Sequence, residues 1–241
     1  MAAQQQFNAE HGLMPGTGYD ASHVKGKSVV ITGGASGIGE ASLRAFVAAG
    51  AFVTFGDAAE DLAQGLVTEL GSDRVAFVKC DNRVWSDQVT VFKTAIARSP
   101  SQSVDIVHAN AGISGLDNIL QDNADSATGE PVEPDLRVLD INMTGMMYTA
   151  KLALHYFPRQ KEAHDRCLIF SSSLAGYADH PGAPQYCASK WGVRGVMRAL
   201  RSTMPKIGAR VNVIAPWYVA EQNQWHMKSR PHWSQSRSDM R

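Results

Sequence analysis

Lys27–Gly39 reads KSVVITGGASGIG, and this stretch decides the fold. Val29, Val30 and Ile31 form a short apolar run of β-branched residues, which suits a strand buried on both faces of a parallel sheet. Glycines end it. The spacing Gly33-x-x-x-Gly37-x-Gly39 keeps Cβ atoms out of a tight turn, so that a pyrophosphate can approach the backbone. The helix that follows offers that anion its N-terminal N–H groups and the positive end of its dipole. Gly33, Ser36, Gly37, Ile38 and Gly39 are therefore the candidate phosphate-binding residues. A glycine cluster alone is only a turn; its place between a strand and a helix gives it meaning.

Outward from this turn, strand and helix patterns alternate. Helices are predicted over Gly37–Ala49, Asp61–Leu70, Val84–Arg98, Asp135–Phe157 and Pro184–Thr203. Strands are predicted over Ala51–Phe55, Arg74–Lys79, Val104–Ala109, Arg166–Ser172 and Ala209–Ala215. Ser114–Pro134 is polar, acidic and glycine-containing, hence a surface loop. This order implies an α/β fold: a Rossmann-like, doubly wound parallel sheet with helices on both faces and right-handed crossovers.

The chain has 241 residues, 44% of them hydrophobic, enough for one globular domain with a sizeable core. Lys plus Arg and Asp plus Glu are 23 each, so no net charge draws it to nucleic acid or an anionic membrane. Cys80, Cys167 and Cys187 have no metal-type spacing and read as reduced thiols of a cytoplasmic protein. No apolar run is long enough to span a bilayer, and the polar start lacks the pattern of a signal peptide. Residues 1–24 read as a loose N-terminal arm, residues 25–219 as the folded domain. Residues 220–241 contain no Val, Ile or Leu and read as a disordered tail.

Three further places carry chemistry. Asp57 follows the second strand. A carboxylate there can accept hydrogen bonds from both hydroxyls of an adenosine ribose and would repel a 2′-phosphate. No Arg or Lys sits in the glycine turn or just after Asp57, so NAD is expected rather than NADP. The alternative role for Asp57 is a helix N-cap. Asp81 and Asn82 follow the third strand, where Asp81 can bond an adenine amino group with the Asn82 backbone nearby. Asn110-Ala111-Gly112 follows the fourth, where small residues let a cofactor lie across the strand ends. At both places a simple turn is the alternative. Lastly, Ser171–Lys190 reads SSSLAGYADHPGAPQYCASK. Pro184 can start a helix that puts Tyr186 and Lys190 one turn apart on one face. An ammonium beside a phenol favours the phenolate, which suits proton exchange with an alcohol or ketone oxygen that Ser173 can hold. The alternative is an ordinary helix start with a solvated lysine. His180, between Ser173 and Tyr186, reads as solvent-facing in a loop that forms one pocket wall.

Taken together, TGGASGIG, Asp57, CDN at Cys80–Asn82, NAG at Asn110–Gly112, Asn142, Ser173, YCASK at Tyr186–Lys190 and VNVIAP at Val211–Pro216 resemble the short-chain dehydrogenase/reductase family. The resemblance covers Lys25 to Val219. It implies strand order 3-2-1-4-5-6, usually with a seventh strand, and a secondary alcohol or ketone substrate. It implies Tyr186 as acid/base, Lys190 binding the nicotinamide ribose and promoting the phenolate, and Ser173 positioning the substrate oxygen. Asn142 would hold a proton-relaying water, Asn110 would lie by the cofactor, and Ile214 and Val219 near the nicotinamide. Flanking phrases look most like fungal members acting on secondary-metabolite or lipid-like alcohols. The sequence departs from the family at Pro216-Trp217, where Pro-Gly is usual, and after Val219, where a substrate-covering helix pair, a helix and the last strand are expected. The chain thus resembles a shortened or misread family member. A homodimer through Asp135–Phe157 and Pro184–Thr203 is expected, a tetramer is not. The competing reading is a catalytically weak NAD binder or dimerising partner.

Overall fold

The computed structural model describes residues 21–115, 118–121, 123–160, 165–217 and 219. The arm up to residue 20 and the tail from residue 220 lie outside the described residues. Residues 21–24, assigned to the arm from sequence, are already structured: Ser22–Val24 form a 3-10 turn and Val24 is buried.

Six strands form one parallel sheet: β1 Ser28–Thr32, β2 Phe52–Asp57, β3 Val75–Lys79, β4 Ile106–Ala109, β5 Arg166–Ser171 and β6 Ala209–Ile214. Their order is β3-β2-β1-β4-β5-β6. The helices are α1 Gly37–Ala48, α2 Glu60–Leu70, α3 Trp85–Arg98, α4 and α5 Pro184–Leu200. The predicted helix Asp135–Phe157 is α4, and it is not uniform. It begins at Arg137–Leu139, passes through a π-helical stretch Asp140–Gly145, and continues as Met146–Tyr156.

Side chains alternate across each strand, so β1 feeds two cores. Val29 and Ile31 pack with Val53, Phe55, Leu43 and Leu66 under α1 and α2. Val30 points the other way and packs with Val107, Leu168, Phe92 and Phe157 under α3 and α4. Every residue of β1 is buried, which is why its sequence reads as a run rather than an alternation. At the far side β6 pairs only with β5 among the described residues, and it exposes Arg210, Asn212 and Ile214 on alternate positions.

Candidate functional site

The first turn after β1 is closed by backbone. Gly33 has φ +67°, and its N–H donates to the Gly56 carbonyl at 2.7 Å. A Cβ on Gly39 would overlap the Gly33 carbonyl oxygen and stand 2.7 Å from Asn110 Nδ2. Only glycine fits this cradle. Asp57 holds it from the neighbouring strand: Oδ2 accepts from Ala35 N–H and Oδ1 from Ala59 N–H, both at 2.9 Å. The N-cap position of α2 is Ala59, so Asp57 pins the glycine turn rather than occupying the N-cap itself.

The end of β3 is equally organised. The Arg83 guanidinium chelates Asp81, with Nη2 to Oδ2 at 2.6 Å and Nε to Oδ1 at 3.0 Å, and holds that carboxyl below its ordinary range. Asn82 turns inward. Its Nδ2 donates to the Ile141 carbonyl at 3.0 Å, and its Oδ1 accepts from Gln88 Nε2 at 2.9 Å. Gln88, fully buried, also donates to the Gly145 carbonyl at 2.8 Å and accepts from Thr149 Oγ1 at 2.7 Å. The loop after β3 is thereby tied to the π-helical stretch of α4.

At the other end, Pro184 opens α5 as predicted, and Tyr186 and Lys190 share its inner face. Lys190 is 5% exposed, its Nζ donates to the Ser171 carbonyl at 3.0 Å, and it lies 5.4 Å from the centre of the Tyr186 ring. Burial pushes the ammonium down to about 8. Ser173 is extended at the end of β5. Its hydroxyl accepts from Ala175 N–H at 3.2 Å and donates to the Pro216 carbonyl at 3.4 Å. That donation is long and therefore weak, so the proton is available to a better acceptor. The Asn142 side chain is engaged by its neighbours. Its Oδ1 accepts from Ile113 N–H at 2.8 Å, and its Nδ2 donates to the Ile113 carbonyl at 2.9 Å and to Ser189 Oγ at 3.1 Å. Both ends of the amide are committed to protein.

Beneath these groups runs a buried polar chain that sequence reading missed. His108 Nε2 lies 2.9 Å from Ser171 Oγ, whose hydroxyl donates to Asn110 Oδ1 at 3.0 Å. Since that hydroxyl has one proton, His108 must be the donor, neutral with hydrogen on Nε2. Asn110 Nδ2 continues to the Gly33 carbonyl at 2.9 Å. Burial pushes His108 down to about 4. Ser171 thus joins Lys190, through its carbonyl, to the glycine turn, through its hydroxyl.

All these elements wall one cleft of about 610 Å³. Gly33, Ser36, Gly37, Ile38, Asp57, Asp81 and Asn82 line one end, and Ser173, Tyr186, Lys190 and Val219 the other, with Asn110 between. Gly39 stands behind the turn and Asn142 behind Ile113 and Ile141, outside the wall. Arg83 and Trp217 also line it. Arg83 carried no signal beyond its place two residues after Asp81. His180 is not simply solvent-facing: it is half-buried, with its ring edge-on between Tyr186 at 6.2 Å and Trp217 at 5.9 Å. Cys80 reaches the cleft, but burial raises its thiol to about 12, so it stays protonated. The other two cysteines are also free thiols. Among the described residues no group of three or more metal-binding side chains forms, and no helix is long and apolar enough to cross a membrane.

The model of the family described as short chain dehydrogenase matches residues 27–231, running past Val219 into the stretch read as a tail. The 5'-hydroxyaverantin dehydrogenase of Dothistroma septosporum is 37% identical over 84% of this chain and 70% of its own length. The NADP-dependent dehydrogenase M3 of a Phoma species is 33% identical over 86% of this chain and 63% of its own length. A short-chain type dehydrogenase/reductase from Mycobacterium marinum superposes with a TM-score of 0.71 and 25% identity over 83% of this chain and 77% of its own. Strand order, glycine cradle, and Ser173, Tyr186 and Lys190 on one cleft agree with those matches: the chain belongs to the short-chain dehydrogenases, a family of oxidoreductases.

Proposed function

We propose that the chain interconverts a secondary alcohol and its ketone, with Tyr186 as the acid/base and NAD preferred to NADP. One observation carries the reading: a glycine cradle and a Ser173–Tyr186–Lys190 group open on the same cleft. The cradle fits a dinucleotide, because Gly33 and Gly37, both at positive φ, line it with bare backbone and Ser36–Gly37 present the start of α1 to the same space. A bound nicotinamide would supply the hydride acceptor or donor. The chain's own groups handle the oxygen and its proton. Ser173 exchanges its weak bond to Pro216 for the substrate oxygen. Tyr186 takes the hydroxyl proton in oxidation and returns it in reduction, and Lys190 supports the phenolate electrostatically. The Asn142 side chain is committed to Ile113 and Ser189, so a water held there would have to use its carbonyl.

Asp57 supports NAD, since a carboxylate at the ribose end opposes a 2′-phosphate. Arg83 stands in the cleft, but Asp81 occupies its guanidinium. One relative is named NADP-dependent, so direct titration with both cofactors decides between them. The name of the Dothistroma relative supports alcohol oxidation in secondary metabolism. A homodimer through α4 and α5 is supported by Met147 and Trp191, about half exposed on those helices.

The test is reduction of NAD in the presence of a panel of secondary alcohols, run on the chain and on Tyr186→Phe. Removing a positioned acid/base should slow turnover by on the order of 10³-fold while cofactor binding and melting temperature stay near the parent. Undiminished turnover would remove Tyr186 from the proton transfer.

A further inference from the structure

Tyr186 and Trp217 line the cleft, and the His180 ring stands against both of them. His180 lies edge-on to Tyr186, with centroids 6.2 Å apart and planes at 62°. Trp217 lies edge-on to His180, with centroids 5.9 Å apart and planes at 87°. Two elements fix this row. His180 comes from the loop before α5, where its carbonyl accepts from the Cys187 thiol. Trp217 follows Pro216, whose carbonyl accepts from Leu174 N–H at 2.9 Å and from Ser173 Oγ at 3.4 Å. The tryptophan is therefore indexed to the serine that holds the reacting oxygen. Yet Trp217 is 50% exposed and lines the cleft. A half-open indole beside catalytic groups is surface that a flat apolar ligand would cover. The neighbouring imidazole adds a polar group that can bond an oxygen on the same ligand.

We propose that His180 and Trp217 form an aryl-binding subsite, so that the preferred substrates are secondary alcohols or ketones whose carbinol carbon is attached to an aromatic ring bearing a hydroxyl or carbonyl oxygen. The ring lies against Trp217, and its oxygen substituent meets His180. The proposal rests on the alcohol–ketone reading above, and its test separates the two.

The whole chain is titrated by calorimetry with 2-acetylnaphthalene, its 6-hydroxy derivative and the saturated acetyldecalin, each with and without NADH. Aryl ketones should bind about three- to ten-fold more tightly than the decalin analogue, the range of a well-placed aromatic pair. Trp217→Ala should collapse that ratio towards one, and Trp217→Phe should restore much of it. His180→Phe should keep the aryl preference but erase the extra affinity of the hydroxy derivative. The ratio is read from binding, so it reports on the subsite even where no turnover occurs. Loss of NADH binding would strike the cofactor reading and leave the ratio standing. Equal affinity for aryl and saturated ketones, or a ratio indifferent to Trp217→Ala, would overturn the subsite.

Discussion

The two ends of the cleft are built on different principles. The glycine-turn end is backbone and close packing: β1 is buried throughout, Gly33 and Gly39 leave no room for a Cβ, and Asp57 pins the turn. The Tyr186–Lys190 end holds groups that folding alone would not choose. Lys190 is a buried ammonium, Trp217 a half-exposed indole, and β6 exposes alternate residues. One end is made stable by its shape. The other gives up stability to hold a buried charge and an open ring. Substitutions at the two ends should therefore move stability in opposite directions.

The largest effect belongs to the cradle. In Gly39→Ala the new methyl meets the Gly33 carbonyl and Asn110. Overpacking against backbone that cannot yield should cost on the order of 3 kcal/mol and abolish cofactor binding. Denaturant melts and cofactor titration check this; a stable variant with parent affinity would show that the turn is softer than its geometry.

Between the two ends lies His108. It is buried and neutral, and burial pushes it down to about 4 from 6.5. The unfolded chain takes up a proton near 6.5 while the folded chain does not, so stability falls as pH drops through the window from 6.5 to 4 and no further below it. The loss should be about 3 kcal/mol. His108→Gln, which keeps a donor for Ser171, should flatten that acid limb. A limb of unchanged slope would assign it to other groups.

Asp57 offers a sharper use of the glycine-turn end. Asp57→Ala would also release Ala35 N–H and Ala59 N–H, so it mixes loop damage with lost recognition. Asp57→Asn keeps the shape, removes the charge and gives up only one of the two N–H bonds, since its amide nitrogen cannot accept. The NAD-to-NADP affinity ratio should fall about ten-fold, the size of one charge-assisted hydrogen bond. An unmoved ratio would place discrimination elsewhere, with Arg83 the next residue to vary.

How much of this was legible follows the same division. The alternation of strands and helices, the glycine turn, Asp57 and the Ser173, Tyr186 and Lys190 group could be read, because each rests on local pattern or short spacing; the strand order came with the family resemblance. The π-helical stretch in α4 could not: it depends on Asn82, Gln88 and Thr149 meeting across the fold, and residues 57 and 61 positions apart have no shared sequence signal. The roles of His108 and Ser171 were hidden for the same reason; they are 63 residues apart and meet only because β4 and β5 are neighbours.

The smallest expected effect tests the division most directly. Lys190→Met replaces a buried ammonium with an apolar chain of similar length. Burial holds the lysine at about 8 against 10.5 in the open chain, so folding is opposed by that charge at pH 7. Part of the gain from removing it is offset by the Ser171 carbonyl, which loses its donor. The variant should be about 1 kcal/mol more stable than the parent at pH 7 while losing turnover. The pH dependence separates this from a packing effect. Between 8 and 10.5 the unfolded parent binds the lysine proton and the folded parent does not, so parent stability rises with pH across that window. The variant lacks this rise, so its advantage should shrink above pH 8 and the two curves should cross before pH 10. Parallel curves, or a variant less stable at every pH, would mean that the Tyr186–Lys190 end is held together by Lys190 rather than strained by it.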